Sequence, residues 1–249
     1  MEKGRMDAMQ AGPAFDNGGA GEGDAGNESV SVAGIVLAAG QSSRMRGLCK
    51  LVLPVRGVPL LLLGIRSMAP WCDRVVVVTG AHAETVGLAL GACPFCERVH
   101  NPQPESGMIV SAKAALRLLL DPSDGKAVPD RIFLLPGDCA FVDPKVYGAL
   151  LASARDVAMP TFGGQAGHPV LLSTTAARGI LAASDETTIQ QLLAGYRTEK
   201  IEVADDGILE DLDTLEGYER ILRRMARQPG GSVTPPVRPS GRERYSSAG

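Results

Sequence analysis

Short apolar runs alternate with amphipathic stretches along the first half of the chain. Three runs are apolar at almost every position and end in small or polar residues, which is typical of strands buried on both faces. They cover residues 32–37, 75–78 and 131–135. The stretches between them carry apolar residues at helical spacing, at 59–68, 83–90 and 106–120. This alternation predicts right-handed crossovers and an α/β protein with a mostly parallel sheet.

The second half of the chain has a less regular pattern. We predict strands at 157–160, 169–172 and 200–203, and helices at 174–183 and 188–193. A closing helix is predicted to run to about residue 224, with Thr214 as its N-cap because a threonine precedes the apolar helical spacing there.

Both ends of the chain lack the apolar periodicity of the middle. Residues 1–30 carry two basic and six acidic side chains with seven glycines, and residues 228–249 carry four prolines, four glycines and three arginines. Such segments bury too little apolar surface to offset their ordering entropy. We therefore predict disordered tails at 1–30 and 228–249 around one domain at 31–227.

The charge and hydropathy of the chain exclude some classes of function. The chain has 249 residues and a net charge of −3, which gives no reason to expect nucleic-acid binding. No apolar run approaches the roughly 18–20 residues of a membrane span. The first residues do not have the pattern of a secretory signal. We expect a cytoplasmic protein with no nucleic-acid and no membrane partner.

The strongest chemical signal follows the first predicted strand. Residues 37–45 read Leu-Ala-Ala-Gly-Gln-Ser-Ser-Arg-Met, and Lys50 comes shortly after. Small residues such as Ala39 and Gly40 let backbone N–H groups approach an anion closely, and Arg44 and Lys50 add two cations for phosphate oxygens. The segment has neither the P-loop nor the dinucleotide-binding spacing. It predicts a triphosphate site, against the alternative of a small-residue turn with two solvated cations.

Carboxylates at two places suit a metal ion. Asp138 follows a predicted strand, in a turn opened by a proline and a glycine, and residues 210–214 read Glu-Asp-Leu-Asp-Thr. In the second segment, Asp211 and Asp213 lie on the same side of an extended chain. Mg²⁺ takes one or two carboxylates together with substrate phosphates. The pattern predicts a magnesium site, and the alternative for Asp138 alone is a turn or capping aspartate.

In this order, the motifs resemble the nucleotidyltransferase family that includes molybdenum-cofactor cytidylyltransferase. That family joins Leu-Ala-Ala-Gly-x-Ser-x-Arg-Met and a lysine to a Gly/Ala-Asp turn, a Gly-His-Pro segment and a late Asp-x-Asp-Thr-Pro-Glu. The resemblance implies a three-layer α/β/α nucleotidyltransferase fold of Rossmann-like type over nearly all of residues 32–222. The matching segments are residues 37–50, 137–138, 167–170 and 211–216, with weaker matches at 79–82, 101–102 and 107–108.

The resemblance also implies a reaction and the residues that perform it. The family reaction uses Mg²⁺ to transfer CMP from CTP to the terminal phosphate of molybdopterin and releases pyrophosphate, and a molybdoenzyme of the xanthine dehydrogenase type is a candidate partner. Catalytic roles would fall to Arg44, Lys50 and Asp138, and the metal ligands would be Asp138 and Asp213. The nucleotide would contact Leu37, Ala38, Ala39, Gly40, Ser42, Arg44, Lys50, Thr79, Gly80 and Asp138. The acceptor would contact Asn101, Gly107, Met108, Gly167 and His168.

Three positions depart from the family pattern and leave alternatives open. Arg46 stands where the family has glycine, Ala140 stands where it has proline, and residues 185–190 lack a glycine-rich stretch with an arginine. Because arginine suits an anionic acceptor, its loss leaves open another phosphorylated acceptor such as a sugar phosphate. The departures also leave open a non-catalytic protein that carries the cofactor or a nucleotide. Ala39 favours CTP over GTP, since the guanylyl branch of the family has glycine there.

The five cysteines do not predict a separate activity. Cys93 and Cys96 have the spacing of a redox motif, but they precede an extended segment instead of opening a helix. No further residues with suitable spacing favour zinc. We predict buried or incidental thiols in a reducing compartment.

Overall fold

The computed structural model describes residues 30–45 and 47–226. Arg46, the predicted C-terminal tail and all but the last residue of the predicted N-terminal tail lie outside the described residues. The disorder of the tails and the boundaries of the domain therefore stay predictions. Within the described ranges, no helix is long and apolar enough to cross a membrane.

A mixed, mostly parallel sheet runs through the centre of the molecule. Its strands are β1 (Val32–Ala38), β4 (Arg74–Thr79), β5 (Glu97–His100), β6 (Arg131–Pro136), β7 (Val157–Phe162), β8 (Gln165–Ala166), β9 (Val170–Ser173) and β10 (Thr198–Glu202), and a separate antiparallel pair consists of β2 (Pro54–Val55) and β3 (Val58–Pro59). The order across the sheet is β10-β7-β9-β6-β1-β4-β5, with β8 paired to β7. β9 runs antiparallel to both of its neighbours, whereas β6, β1, β4 and β5 pair in parallel.

Helices cover both faces of this sheet. They are α1 (Leu60–Met68), α2 (Ala83–Ala89), α3 (Met108–Leu119), α4 (Pro144–Leu151), α5 (Thr174–Ala182), α6 (Ile189–Leu193) and α7 (Leu215–Ala226). Successive residues of β1 point to opposite faces, so Val36 belongs to the core cluster that includes residues of α1, α2 and α4, and Ile35 to the one that includes residues of α3, α5 and α6. The predicted three-layer α/β/α fold is confirmed.

The strands and helices that were predicted are present, and their ends lie within two residues of the predicted ones. Thr214 caps α7 as predicted, because its Oγ1 accepts from the backbone N–H of Gly217 at 3.1 Å. Helix α4 was not predicted. It is only eight residues long, and its buried side chains are Val146, Tyr147 and Leu150, too few to give a clear helical period. Its start is nevertheless encoded, since the Asp143 side chain accepts from the Lys145 backbone N–H at 2.8 Å.

All five cysteines are free and buried, in agreement with the prediction of structural thiols. Burial raises the pKa of Cys96 to about 12, and the neighbouring Cys93 thiol adds to the rise. Such a thiol is protonated at neutral pH and therefore a poor nucleophile.

An ion pair between β4 and the edge strand β5 makes stability depend on pH. Arg74 donates two hydrogen bonds to Glu97 at 2.8 and 3.0 Å, and Lys126 donates a third at 2.7 Å. The hydrogen bonds from Arg74, opposed by partial burial and reinforced by Lys126, hold the pKa of Glu97 at about 2 instead of 4.5. A depressed folded-state pKa stabilises the protein above the unfolded-state value, and this stability is lost as the pH falls from about 4.5 to about 2.

Glu97→Gln is therefore expected to lower the free energy of unfolding by about 1–2 kcal/mol at pH 7, after allowance for solvent screening. The difference in the free energy of unfolding between wild type and variant should decrease towards pH 2. Urea denaturation at pH 7 and pH 3 measures it, with the exposed Glu186→Gln as control. A difference that stays constant across this range would contradict the assignment.

Candidate active site

The carboxyl ends of the parallel strands β1, β4 and β6 meet at one edge of the sheet, and their loops lie against one another. The Gly137 N–H donates to the Leu37 carbonyl at 2.9 Å, and the Ala81 N–H donates to the Ala39 carbonyl at 3.1 Å. A Cβ on Gly137 would lie 2.9 Å from the Leu37 oxygen, and one on Gly80 would lie 2.7 Å from the Ala39 oxygen. Glycine is required at both positions because the backbones approach so closely.

A cluster of opposite charges occupies this edge. Lys50 Nζ lies 2.5 Å from Asp138 Oδ2 and 2.7 Å from Asp213 Oδ1, and Arg44 lies 2.7 Å from Asp213 Oδ2. The side chains of Lys50 and Asp138 are only 15% and 16% exposed, whereas that of Arg44 is 69% exposed. The Lys50 pair is therefore much less screened by solvent than the Arg44 pair.

The electrostatics of the cluster follow from this geometry. Burial alone would lower the pKa of Lys50, but Asp138 and Asp213 outweigh it, so the pKa is raised and the ammonium is retained. The hydrogen bond from Lys50 lowers the pKa of Asp213. Burial raises the pKa of Asp211, and the carboxylates of Asp213 and Asp138 add to the rise.

Two buried apolar anchors set the cations in place. Arg44 and Lys50 lie on short 3₁₀ turns, Ser43–Met45 and Lys50–Val52, in which Met45 and Leu51 are buried. The Lys50 N–H also donates to Ser42 Oγ at 3.3 Å, which ties the two turns together.

The second carboxylate, Asp213, lies in the segment just before α7, far from Lys50 along the chain. Leu212 is fully buried beside it, in the cluster that contains Ile221 of α7 and Met45 of the first 3₁₀ turn. The α7 segment is thus packed directly against the loop that carries the cations, and this packing places Asp213 beside Lys50.

A cleft of about 250 Å³ opens beside the charged cluster. Lys50 and Asp138 are its charged lining residues, and the remainder of its wall is uncharged. The full lining consists of Leu37, Ala39, Gly40, Ser42, Lys50, Leu51, Pro104, Gly107, Met108, Ser111, Pro136 and Asp138. Eight of the residues predicted for the site lie on it: Leu37, Ala39, Gly40, Ser42, Lys50, Gly107, Met108 and Asp138.

The other predicted nucleotide residues lie next to the cleft, outside its lining. Ala38 and Thr79 are buried at the ends of β1 and β4, and the Thr79 hydroxyl donates to the Val99 carbonyl at 3.3 Å. Gly80 is the close-approach glycine described above. Arg44 pairs with Asp213, which in turn contacts the lining residue Lys50.

The predicted acceptor residues are divided between two places. Gly107 and Met108 lie on the same cleft as the phosphate-loop residues. Asn101 is 1% exposed, and its side chain is engaged within the protein. The backbone N–H groups of Gly167 and His168 donate to the carbonyls of Pro160 and Ile208. Contact of these residues with an acceptor stays a prediction.

The pKa of His168 nevertheless responds to carboxylates of the site. Burial lowers the pKa of His168, and the charges of Asp138 and Asp211 oppose that effect. In the part of the chain that the structure describes, its Nδ1 is buried without a hydrogen-bond partner. A buried polar atom without a partner costs free energy, so His168 Nδ1 is an unsatisfied polar group of the folded protein.

The site residues predicted from the sequence do not include Ser111 or Asp211. Ser111 lines the cleft from the second turn of α3, where a serine among apolar residues gave no motif. Asp211 is a candidate carboxylate beside Asp213 that the prediction left out, and its charge opposes the lowering of the His168 pKa. The Asp-x-Asp spacing was its only signal.

The donor set at the cluster fits a magnesium ion. One carboxylate oxygen from each of Asp138 and Asp213 reaches the same nitrogen of Lys50, so the two oxygens are within reach of a single cation. Among the described residues, no group of three or more His, Cys, Asp or Glu side chains forms a metal cage. Mg²⁺ prefers such open sites, where one or two carboxylates are completed by substrate phosphates and water.

A mostly parallel sheet with a small-residue loop, two cations and two carboxylates at its carboxyl edge is the architecture of a nucleotidyltransferase. Residues 34–201 match the family model described as "MobA-like NTP transferase domain". The chain belongs to this family and is a nucleotidyltransferase.

Curated relatives cover most of the chain. The molybdenum cofactor cytidylyltransferase of Escherichia coli K12 is 26% identical over 185 residues, which is 74% of this chain and 92% of that protein. A molybdenum cofactor guanylyltransferase of Burkholderia orbicola is 27% identical and covers 79% of this chain and 98% of its own length. The purine catabolism protein PucB of Bacillus subtilis is 30% identical, with coverages of 78% and 97%.

Solved structures share the fold. Rv0371c from Mycobacterium tuberculosis H37Rv superposes with a TM-score of 0.66 at 22% identity, covering 78% of this chain and 99% of that chain. A second structure of that protein, in complex with manganese, has a TM-score of 0.64.

Proposed function

We propose that the protein transfers CMP from CTP to the terminal phosphate of molybdopterin, with Mg²⁺, and releases pyrophosphate. The observation that carries the proposal is the pair of carboxylates, Asp138 and Asp213, joined by Lys50 beside a cleft lined by Ala39 and Gly40. The relative named as a cytidylyltransferase supports the choice of reaction. The product would serve a cytoplasmic molybdoenzyme of the xanthine dehydrogenase type.

The reaction needs positioning and neutralisation of charge more than a general base. The attacking group is a phosphate, whose second pKa is near 6, so it is largely a dianion at neutral pH. Backbone N–H groups of the loop at Ala39 and Gly40 would bind the triphosphate, and Lys50 and Arg44 would neutralise the transferring and leaving phosphates. Asp138 and Asp213 would hold Mg²⁺, which when bound neutralises phosphate oxygens and aligns them.

Residue 39 supports CTP as the nucleotide. The relatives include both cytidylyl and guanylyl enzymes, so the family alone leaves the base undecided. Ala39 lines the cleft and carries a methyl group where the guanylyl branch has glycine. This likeness to the cytidylyl branch at residue 39 is what favours CTP in the proposal.

Turnover measurements on the purified protein test the proposal. The protein is incubated with CTP, GTP or ATP, with Mg²⁺ and with either molybdopterin or a sugar phosphate, and pyrophosphate is followed. We expect release with CTP and molybdopterin at a rate at least ten times that of any other pair. Pyrophosphate release with a sugar phosphate and not with molybdopterin would identify the sugar phosphate as the acceptor. Folded protein that binds CTP without any release would identify a carrier.

A further inference from the structure

The part of the cleft wall that residues 104–111 form carries one polar side chain, whose hydrogen bonding is fixed by a buried neighbour. Ser111 lines the cleft beside Pro104, Gly107 and Met108, and it is only 4% exposed. Its Oγ accepts a hydrogen bond of 2.9 Å from Asn101 Nδ2, which is itself buried. A buried hydroxyl that accepts one bond still carries a proton to donate.

The orientation of the Asn101 amide fixes the direction of the hydrogen bond between Asn101 and Ser111. The Gln103 backbone N–H donates to Asn101 Oδ1 at 2.9 Å, which identifies the oxygen and places Nδ2 on the side of Ser111. The amide nitrogen also donates to the Gln103 carbonyl at 3.3 Å. Since Nδ2 has protons and no acceptor capacity, it makes Ser111 Oγ the acceptor.

The Ser111 hydroxyl proton has no acceptor in the described part of the protein, because the bond from Asn101 is the one hydrogen bond that this side chain makes. A buried donor without an acceptor costs free energy, and a ligand atom in the cleft removes that cost.

The charge distribution along the cleft identifies which part of the ligand meets Ser111. Lys50 and Asp138 mark the phosphate and metal end, whereas Pro104, Gly107 and Met108 around Ser111 are uncharged. An apolar wall with one hydrogen-bond donor suits a flat heterocycle that carries an acceptor on its edge. A phosphate group would lack a cation there.

We propose that Ser111 donates a hydrogen bond to the base of the bound nucleotide and that Asn101 is the positioning residue that fixes Ser111 as a donor. This inference rests on the proposed function in one respect, that the cleft binds a nucleoside triphosphate. It gives Asn101 a role towards the nucleotide, through Ser111, in place of the predicted contact with the acceptor.

Equilibrium binding separates the base contact from the phosphate contacts. Affinities of wild type and Ser111→Ala are measured by calorimetry for CTP, for CMP and for inorganic tripolyphosphate, with Mg²⁺. We expect the variant to bind CTP and CMP about 10-fold more weakly and tripolyphosphate with unchanged affinity. The matched control is Ser106→Ala, an exposed serine outside the cleft lining, which should leave all three affinities unchanged.

Reversing the polarity of residue 101 tests its positioning role. In Asn101→Asp both side-chain oxygens accept, so one of them takes the Ser111 proton and the hydroxyl no longer donates into the cleft. We expect CMP binding to weaken about as much as in Ser111→Ala. In a Ser111→Ala background the same change should have little further effect, because the two residues act on one contact.

The outcomes distinguish this inference from the proposed function. Wild type that binds none of the nucleotides overturns both. Two results would overturn the role of Ser111 alone, provided that the wild type binds CTP. One is equal CTP affinity in Ser111→Ala, and the other is a loss of tripolyphosphate affinity as large as the loss of CTP affinity. If Ser111→Ala melts before it can be measured, Ser111→Cys keeps the side-chain volume with a much weaker donor and should show the same selective loss.

Discussion

Replacing Asp138 by alanine is expected to lower turnover by about 10³-fold while nucleotide binding persists in part. Asp138 is mostly buried at the carboxyl end of β6, on the cleft wall and in contact with Lys50, so its carboxylate would hold the metal that neutralises the phosphates. The loop at Ala39 and Gly40 and the cation Lys50 remain in the variant. These groups retain contacts to the triphosphate, whereas the positioning of the metal is lost.

Initial rates of pyrophosphate release and the affinity for CTP measure the two effects separately. The isosteric Asp138→Asn should lose nearly as much turnover, because the amide keeps the shape and loses the charge. Glu219→Gln is the matched control, since this carboxylate lies on the exposed side of α7 and pairs with Arg223 at 3.1 Å. Turnover within a few-fold of wild type in Asp138→Ala would remove this residue from the catalytic machinery.

The fold could be predicted because its signals are local. The apolar runs that became β1, β4 and β6 are buried on both faces, and their alternation with helices leaves few topologies. The antiparallel insertion of β9 between β6 and β7 could not be predicted, because the direction of a short strand depends on its neighbours and its residues do not encode it. Helix α4 was missed for a related reason, its short length.

The site was predictable at the level of residue types and less so at the level of contacts. Lys50, Asp138 and Asp213 were identified from motifs, and the structure brings them together although Asp138 and Asp213 are 88 and 163 residues from Lys50 along the chain. That one ammonium contacts both carboxylates follows from tertiary packing, which no local pattern contains. Ser111 was missed because its chemistry depends on the amide of Asn101 behind it.

Lys50→Met is expected to lower kcat by about 10²–10³-fold, because the variant loses the buried cation that would neutralise charge as pyrophosphate leaves. Lys50→Arg should retain part of the activity, since the charge stays and its geometry changes. The control is Lys145→Met, in which an exposed lysine of α4 is replaced by the same side chain. A Lys50→Met enzyme with wild-type kcat would place the essential cation elsewhere.

The same variant is expected to respond more strongly to divalent cations. Without the ammonium, the carboxylates of Asp138 and Asp213 face each other with no cation between them, which is unfavourable in a partly buried site. An added divalent cation such as Mn²⁺ would occupy the position between the two carboxylates that the Lys50 ammonium occupies in wild type. The melting temperature of Lys50→Met should therefore be lower than that of wild type in EDTA and should rise more when Mn²⁺ is added. Mn²⁺ should raise the melting temperatures of wild type and Lys145→Met by the same amount. If it raises the melting temperature of Lys50→Met by no more than that, the two carboxylates do not share a cation site.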